Sequence, residues 1–227
     1  MNVLIIAAHP DDEVLGCGGT MARHVGQGDV VHTLILAEGV TSRGGVADAA
    51  QQRKLAALRE AAARANARLG VKKLELLKFP DNRMDGVDRL EVIQAIEAKV
   101  AKFRPTVVYT HHPGDLNVDH QVVHEAVAAA CRPSPEQTVQ RVLCFEVPSS
   151  SEWRFAGSGP AFAPNWFVDI GAHLEAKIAA LREYKAEMRA WPHPRSYKAV
   201  THLARWRGAS VGFEAAEAFV LARALEK

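Results

Sequence analysis

Residues 1–24 read MNVLIIAAHPDDEVLGCGGTMARH: an apolar run at 3–8, the cluster His9-Pro10-Asp11-Asp12-Glu13, then a helical pattern over about 12–26. A strand that runs straight into a helix is the first half of a βαβ unit. Apolar runs at 30–37, 74–79 and 106–110 repeat the arrangement, alternating with helical patterns over about 48–69, 87–102 and 118–131. This alternation predicts an α/β fold, Rossmann-like, with a mostly parallel sheet flanked by helices, in a single domain over residues 1–227. Gly70 falls where a helix C-terminal glycine is expected. Past Pro133-Ser134-Pro135 the pattern predicts strands at 139–147 and 166–170 and helices over about 171–188 and 214–225. Pro-, Gly- and Ser-rich loops at 148–165 and 191–196 separate them.

Packing a histidine and three carboxylates at a strand end costs electrostatic energy unless a cation, a helix N-terminus or a reaction uses them. In parallel α/β sheets that strand end is also where ligands gather. His9 and Asp12 are three apart, so a turn opening the helix brings imidazole and carboxylate to one side, as two ligands of a divalent metal require. Helix capping by Asp11 or Asp12 with a first-turn Glu13 is the plainer alternative, and it leaves His9 without a reason. Gly16, Gly18 and Gly19 partly imitate a dinucleotide fingerprint, but Met21 occupies the third glycine position, so close packing of helix on sheet is the expectation.

The fourth run ends in YTHHPGDLNVDHQVVHEAV, residues 109–127, which again sets histidines and carboxylates at a strand end. Two such clusters on adjacent loops could share one metal. His124, alone on a helix, reads as structural.

Composition narrows the partners. Lys plus Arg number 28 against 26 Asp plus Glu, with no basic block, which gives no electrostatic reason to expect nucleic acid or an anionic membrane. Cys17, Cys131 and Cys144 are far apart and form no Cys-x-x-Cys pair, so neither a disulfide framework nor a thiolate zinc site is suggested, and a reduced, cytoplasmic setting is expected. The apolar opening is too short for a signal region or a membrane span. The expected partner is a small molecule, and a homo-oligomer remains open.

The residues AHPDDE at 8–13, FPDNRMD at 79–85 and NVDH at 117–120, with weaker support from FVDI and KIAALREYKAEM, closely resemble the PIG-L/LmbE-like family of zinc-dependent N-deacetylases. The resemblance implies one zinc ion on His9, Asp12 and His120, with Fe2+ or Mn2+ as other divalent candidates. It implies Asp11 as catalytic base and Asp119 as an acid beside the last ligand. Where many members carry a histidine this chain has Asn117, which could donate a neutral hydrogen bond to the intermediate. The family's substrate-contacting helix arginine has only Arg53 and Arg59 as candidates. The implied reaction removes an N-acetyl group from an amino sugar or its conjugate, nucleotide-linked or lipid-linked forms included. The alternatives are a zinc amidase for a non-sugar acyl amide and a non-catalytic sugar- or nucleotide-binding module, which would not need the Asp11 base.

Outside these motifs, His193 lies between Pro192 and Pro194, which restrict its loop, and it is the candidate general acid, since the family brings this region over the site. Arg43 and Arg195 could make forked contacts with an anionic substrate group. Asp81 is expected to bind sugar hydroxyls, with a plain turn role as the alternative, and Trp153 to stack on a sugar.

Overall fold

The computed structural model describes residues 1–39 and 49–226. Five parallel strands carry the first two thirds of the chain: β1 (Asn2–Ala7), β2 (Val30–Ala37), β3 (Lys73–Phe79), β4 (Val107–His111) and β5 (Arg141–Phe145). Helices α1 (Asp12–Gly26), α2 (Ala49–Arg68), α3 (Arg89–Phe103) and α4 (Val118–Ala130) connect them. Strand β1 is buried on both sides, which is why it reads as an unbroken apolar run. Val3, Ile5 and Ala7 pack in one layer with residues of α1 and α2, while Leu4 and Ile6 pack in the other with residues of α3 and α4.

The strand order is β3-β2-β1-β4-β5-β7-β6, with β6 (Trp166–Asp169) and β7 (Ala216–Ala224) at one edge. Between β1 and β4 the order reverses direction, and this switch point opens a crevice at the strands' carboxyl ends. Both sequence clusters follow these two strands, so the topology alone brings them face to face. No helix among the described residues is long and apolar enough to cross a membrane.

The second half of the chain corrects three expectations. In place of the helix expected over 214–225 stands β7, which pairs antiparallel with β5 and β6. Small alanines at 216 and 218 let it lie between them, and tertiary pairing overrides helix propensity. The helix expected over 171–188 is α5 (Leu174–Leu181), preceded by a 3-10 turn at Gly171–His173. An unexpected helix, α6 (Tyr197–Ala209), starts at Ser196, whose side chain accepts from the Ala199 amide as an N-cap. Gly70 has φ +77, as its terminal position suggests.

The glycines of α1 are packing glycines. A Cβ on Gly16 would lie 2.3 Å from Phe145 Cδ2, and one on Gly19 would lie 2.7 Å from Ile170 Cδ1.

Candidate metal centre

Asp12 opens α1 and is fully buried. Its Oδ2 accepts from the His9 amide at 2.9 Å and lies 3.2 Å from His9 Nδ1 and 3.1 Å from His120 Nε2. The structure therefore brings together His9, Asp12 and His120 from segments more than a hundred residues apart.

Two sets of groups could hold an ion: His9, Asp12 and His120, or His9, Asp81 and Asp119. Hydrogen bonding separates them. Asp119 is already satisfied, with Oδ2 accepting from His9 Nε2 at 2.9 Å and the Asn82 amide at 2.6 Å, and Oδ1 accepting from the Met84 amide at 2.9 Å. In the first set, Asp12 Oδ1 and His120 Nε2 are buried with no hydrogen-bond partner among the described residues. These atoms lie within the first set, where a cation could satisfy them. Asp119 fixes one nitrogen of His9 and Nδ1 is turned toward Asp12, an orientation that would suit a ligating histidine. His120 Nδ1 lies 3.0 Å from Asp115 Oδ1 as an ion-pair contact, and neither ring nitrogen of His120 has a hydrogen-bond partner among the described residues.

The electrostatics make the same demand. Burial disfavours a charged His9, but its hydrogen bond to Asp119 and the Asp12 carboxylate outweigh this and raise its pKa to about 10. Burial likewise opposes charge on His120, and Asp12 and Asp115 prevail, raising it to about 9. The carboxylate cluster calls for positive charge, which one divalent ion can supply in place of two protons.

Asp11, next to the ligand set, adopts φ 109, a left-handed conformation rare for a residue with a side chain. Asn82 and Ser149, nearby in the crevice walls, also have positive φ, and such residues concentrate at functional sites. Burial pushes the Asp11 carboxyl well above the usual carboxylate range, against the pull of Arg195. Arg195 donates from Nη1 to Asp11 Oδ2 at 2.7 Å and from Nε to Ser149 Oγ at 2.8 Å. The arginine expected at the substrate thus points at the neighbouring carboxylate.

The remaining expected residues divide. His193 accepts the Arg195 amide at Nδ1 (3.1 Å), which leaves its proton on Nε2, and the half-exposed Trp153 meets its ring edge-on at 5.8 Å. Asp81 Oδ1 accepts from Asn82 Nδ2 and lies 3.3 Å from His9 Nε2. Asn117 caps α4: its side-chain oxygen accepts the Asp119 amide at 2.8 Å and its Nδ2 donates to Asn82 Oδ1 at 2.7 Å, so both ends of the amide are engaged within the protein. Arg59 pairs with Glu38, and Arg53 lies on α2. Arg43 falls outside the described residues. His124 is structural, with Nδ1 on the His111 carbonyl.

Two residues escaped the sequence reading, and Glu13, read as a first-turn carboxylate, makes further contacts. Asp115 backs His120 and is held by the hydroxyls of Ser150 and Ser151 and by the Asn117 amide. His111 accepts the Ala8 amide at Nε2 and stacks on His120 with ring centroids 3.9 Å apart. Glu13 accepts the Asp11 amide at Oε2 (3.0 Å), while its Oε1 accepts from Tyr184 Oη at 2.6 Å and Asn66 Nδ2 at 2.9 Å. The position of Asp115 just before a capped helix was a usable signal for the first.

Comparison with known proteins agrees in family and in fold. The profile of the family described as PIG-L, GlcNAc-PI de-N-acetylase, matches residues 4–131. The chain is 30% identical over 195 residues to the diacetylchitobiose deacetylase of Thermococcus kodakarensis, covering 82% of this chain and 70% of that protein. Among solved structures, the conserved protein TT1542 of Thermus thermophilus superposes with a TM-score of 0.78 at 27% identity, covering 100% of this chain and 97% of its own. The 4-carboxy-2-hydroxymuconate hydratase GalB of Pseudomonas putida shares the fold, with a TM-score of 0.76 at 23% identity over 100% of this chain and 99% of its own. Fold alone therefore does not choose the reaction.

Proposed function

The chain belongs to the PIG-L family, described as GlcNAc-PI de-N-acetylases, and from that premise we propose that it is a metal-dependent N-deacetylase. Its substrate is an N-acetylated amino sugar or sugar conjugate, and its products are acetate and the free amine. One domain over residues 1–227 carries the activity, and the preferred ion is Zn2+, one per chain, with Fe2+ or Mn2+ able to take the same ligands. The observation that carries this reading is the convergence of His9, Asp12 and His120, whose ligand atoms lie within 4.8 Å of one another beside the strained Asp11.

His9, Asp12 and His120 would hold the ion, whose chemistry is Lewis acidity that polarises a carbonyl and makes water a better nucleophile. Asp119 holds one nitrogen of His9 and Asp115 lies 3.0 Å from Nδ1 of His120, so that the other nitrogen of each can face the ion. Asp11 has one oxygen committed to Arg195 and uses the other to take a proton from water and pass it toward nitrogen. His193, with its proton on Nε2, donates to the departing amine and is reprotonated by the proton that Asp11 took from water. Asp81 and Trp153 bind the sugar. Asn117, bonded to Asn82, steadies the loop that carries Asp81.

Acetate release over a panel of N-acetylated sugars and their nucleotide and lipid conjugates, with a non-sugar acetamide included, tests this reading. Wild-type protein releases acetate from a sugar, and Asp11→Asn loses at least about 100-fold in turnover while retaining its metal. Release confined to the non-sugar amide would make the protein an amidase of another class. Equal turnover in Asp11→Asn would remove that residue from the mechanism.

A further inference from the structure

Tyr184, Arg195 and Ser149, all beyond the residues that match the family profile, contribute to the restraints on Asp11. Its peptide is gripped by Glu13, which is itself held by Tyr184, three residues past the end of α5. Its carboxylate is gripped by Arg195, and Arg195 is held by Ser149. Ser149 has φ 69, and its amide donates to Glu152 Oε1 at 2.6 Å, so the anchor is itself built into a fixed turn. The loop bearing Arg195 is closed on itself, with the Arg189 amide on the Arg195 carbonyl and the Ser196 amide on the His193 carbonyl.

We propose that Arg195 is a positioning residue for Asp11: held at Nε by Ser149, its guanidinium engages Oδ2 from Nη1 and leaves Oδ1 as the proton acceptor. The fork geometry explains why arginine suits the place, since two donors at a fixed angle can join a hydroxyl to a carboxylate, whereas an ammonium is a single point charge. A guanidinium meant for substrate would leave that end free. Here Nη1 and Nε are both turned inward, and the side chain is 22% exposed. The proposal rests on the reading of Asp11 as base.

Arg195→Ala, Arg195→Lys and Ser149→Ala, each compared with wild type, provide the test. Arg195→Ala is expected to lower kcat at least about tenfold with KM within about twofold and metal content unchanged. Arg195→Lys recovers part of that loss, and Ser149→Ala shows a smaller loss in the same direction. A merely structural arginine would lower stability without this split between kcat and KM. A rise in KM at constant kcat would make Arg195 a substrate contact and overturn the proposal. A crystal structure of Arg195→Ala grown with Zn2+ gives a readout that does not depend on turnover: the Asp11 carboxylate is expected to leave its wild-type position, and its staying there overturns the proposal. Should wild-type protein release no acetate, the deacetylase reading fails while that carboxylate position still decides the positioning role.

Discussion

Helix α1 is interrupted at Cys17, where φ is −147 and ψ is 24, and the interruption removes backbone groups from the helical ladder. The Lys177 ammonium donates to the Leu15 carbonyl at 2.8 Å and to Glu217 Oε1 at 2.6 Å. Glu217 in turn accepts the amides of Gly19 at 2.9 Å and Thr20 at 2.6 Å. Both side chains are 4% exposed. Lys177→Met keeps the apolar stem and removes the charge, which leaves a buried carboxylate without its counter-ion and the Leu15 carbonyl without its donor. Breaking one side of such a pair costs about 3–5 kcal/mol, a large part of a total stability of roughly 5–15 kcal/mol. For 227 residues this corresponds to a fall in Tm of about 6–10 °C. Urea unfolding of Lys177→Met, Glu217→Gln and the double variant measures it, with the double variant expected to be more stable than the sum of the single losses allows. A Lys177→Met protein within about 0.5 kcal/mol of wild type would refute the claim that the pair compensates the break.

Three further outcomes follow from the geometry. Gly16→Ala is expected to destabilise by about 1–3 kcal/mol through overpacking against Phe145, whereas a gain of about 1 kcal/mol, the helix-propensity value, would show that Phe145 yields freely. Burial opposes ionisation of Glu75, but Lys102, Lys99 and Lys73 prevail and lower its pKa to about 2. Because the folded value lies below the unfolded one, this ion-pair cluster stabilises above pH about 4.5 and is lost as pH falls toward about 2, solvent screening limiting it to about 1 kcal/mol. The stability gap between wild type and Glu75→Gln should therefore narrow over that window, and a gap unchanged from pH 7 to 3 would contradict the assignment. Stripping the metal with a chelator should lower Tm and re-addition of Zn2+ should restore it, since a ligand that binds only the folded state stabilises it; an unchanged melt would speak against a bound ion.

The parallel half of the fold was legible because each of its strands is a short apolar run set off by helices with their own period. The edge was not. Residues 216–224 contain alanines that favour a helix in isolation, and only pairing with β5 and β6 makes them a strand. The helix from Tyr197 offered a readable cap in Ser196, yet it follows a proline-rich stretch that suggested loop. At the site, His9 and Asp12 were visible because their spacing suits a helical turn, and Asp119-His120 through a motif. Asp115, Tyr184 and Arg195 act through contacts that span tens to hundreds of residues, which no local pattern encodes. Arg195 was noticed for its charge, but the direction in which it points depends on Ser149 in a loop of another segment.

Metal analysis of purified His120→Ala beside wild type bears most directly on the central claim, that two separated segments share one ion. The account predicts about one equivalent of divalent metal in the wild-type protein and little in the variant, because His120 is one of the three groups that would hold the ion. Full occupancy in folded His120→Ala would contradict it.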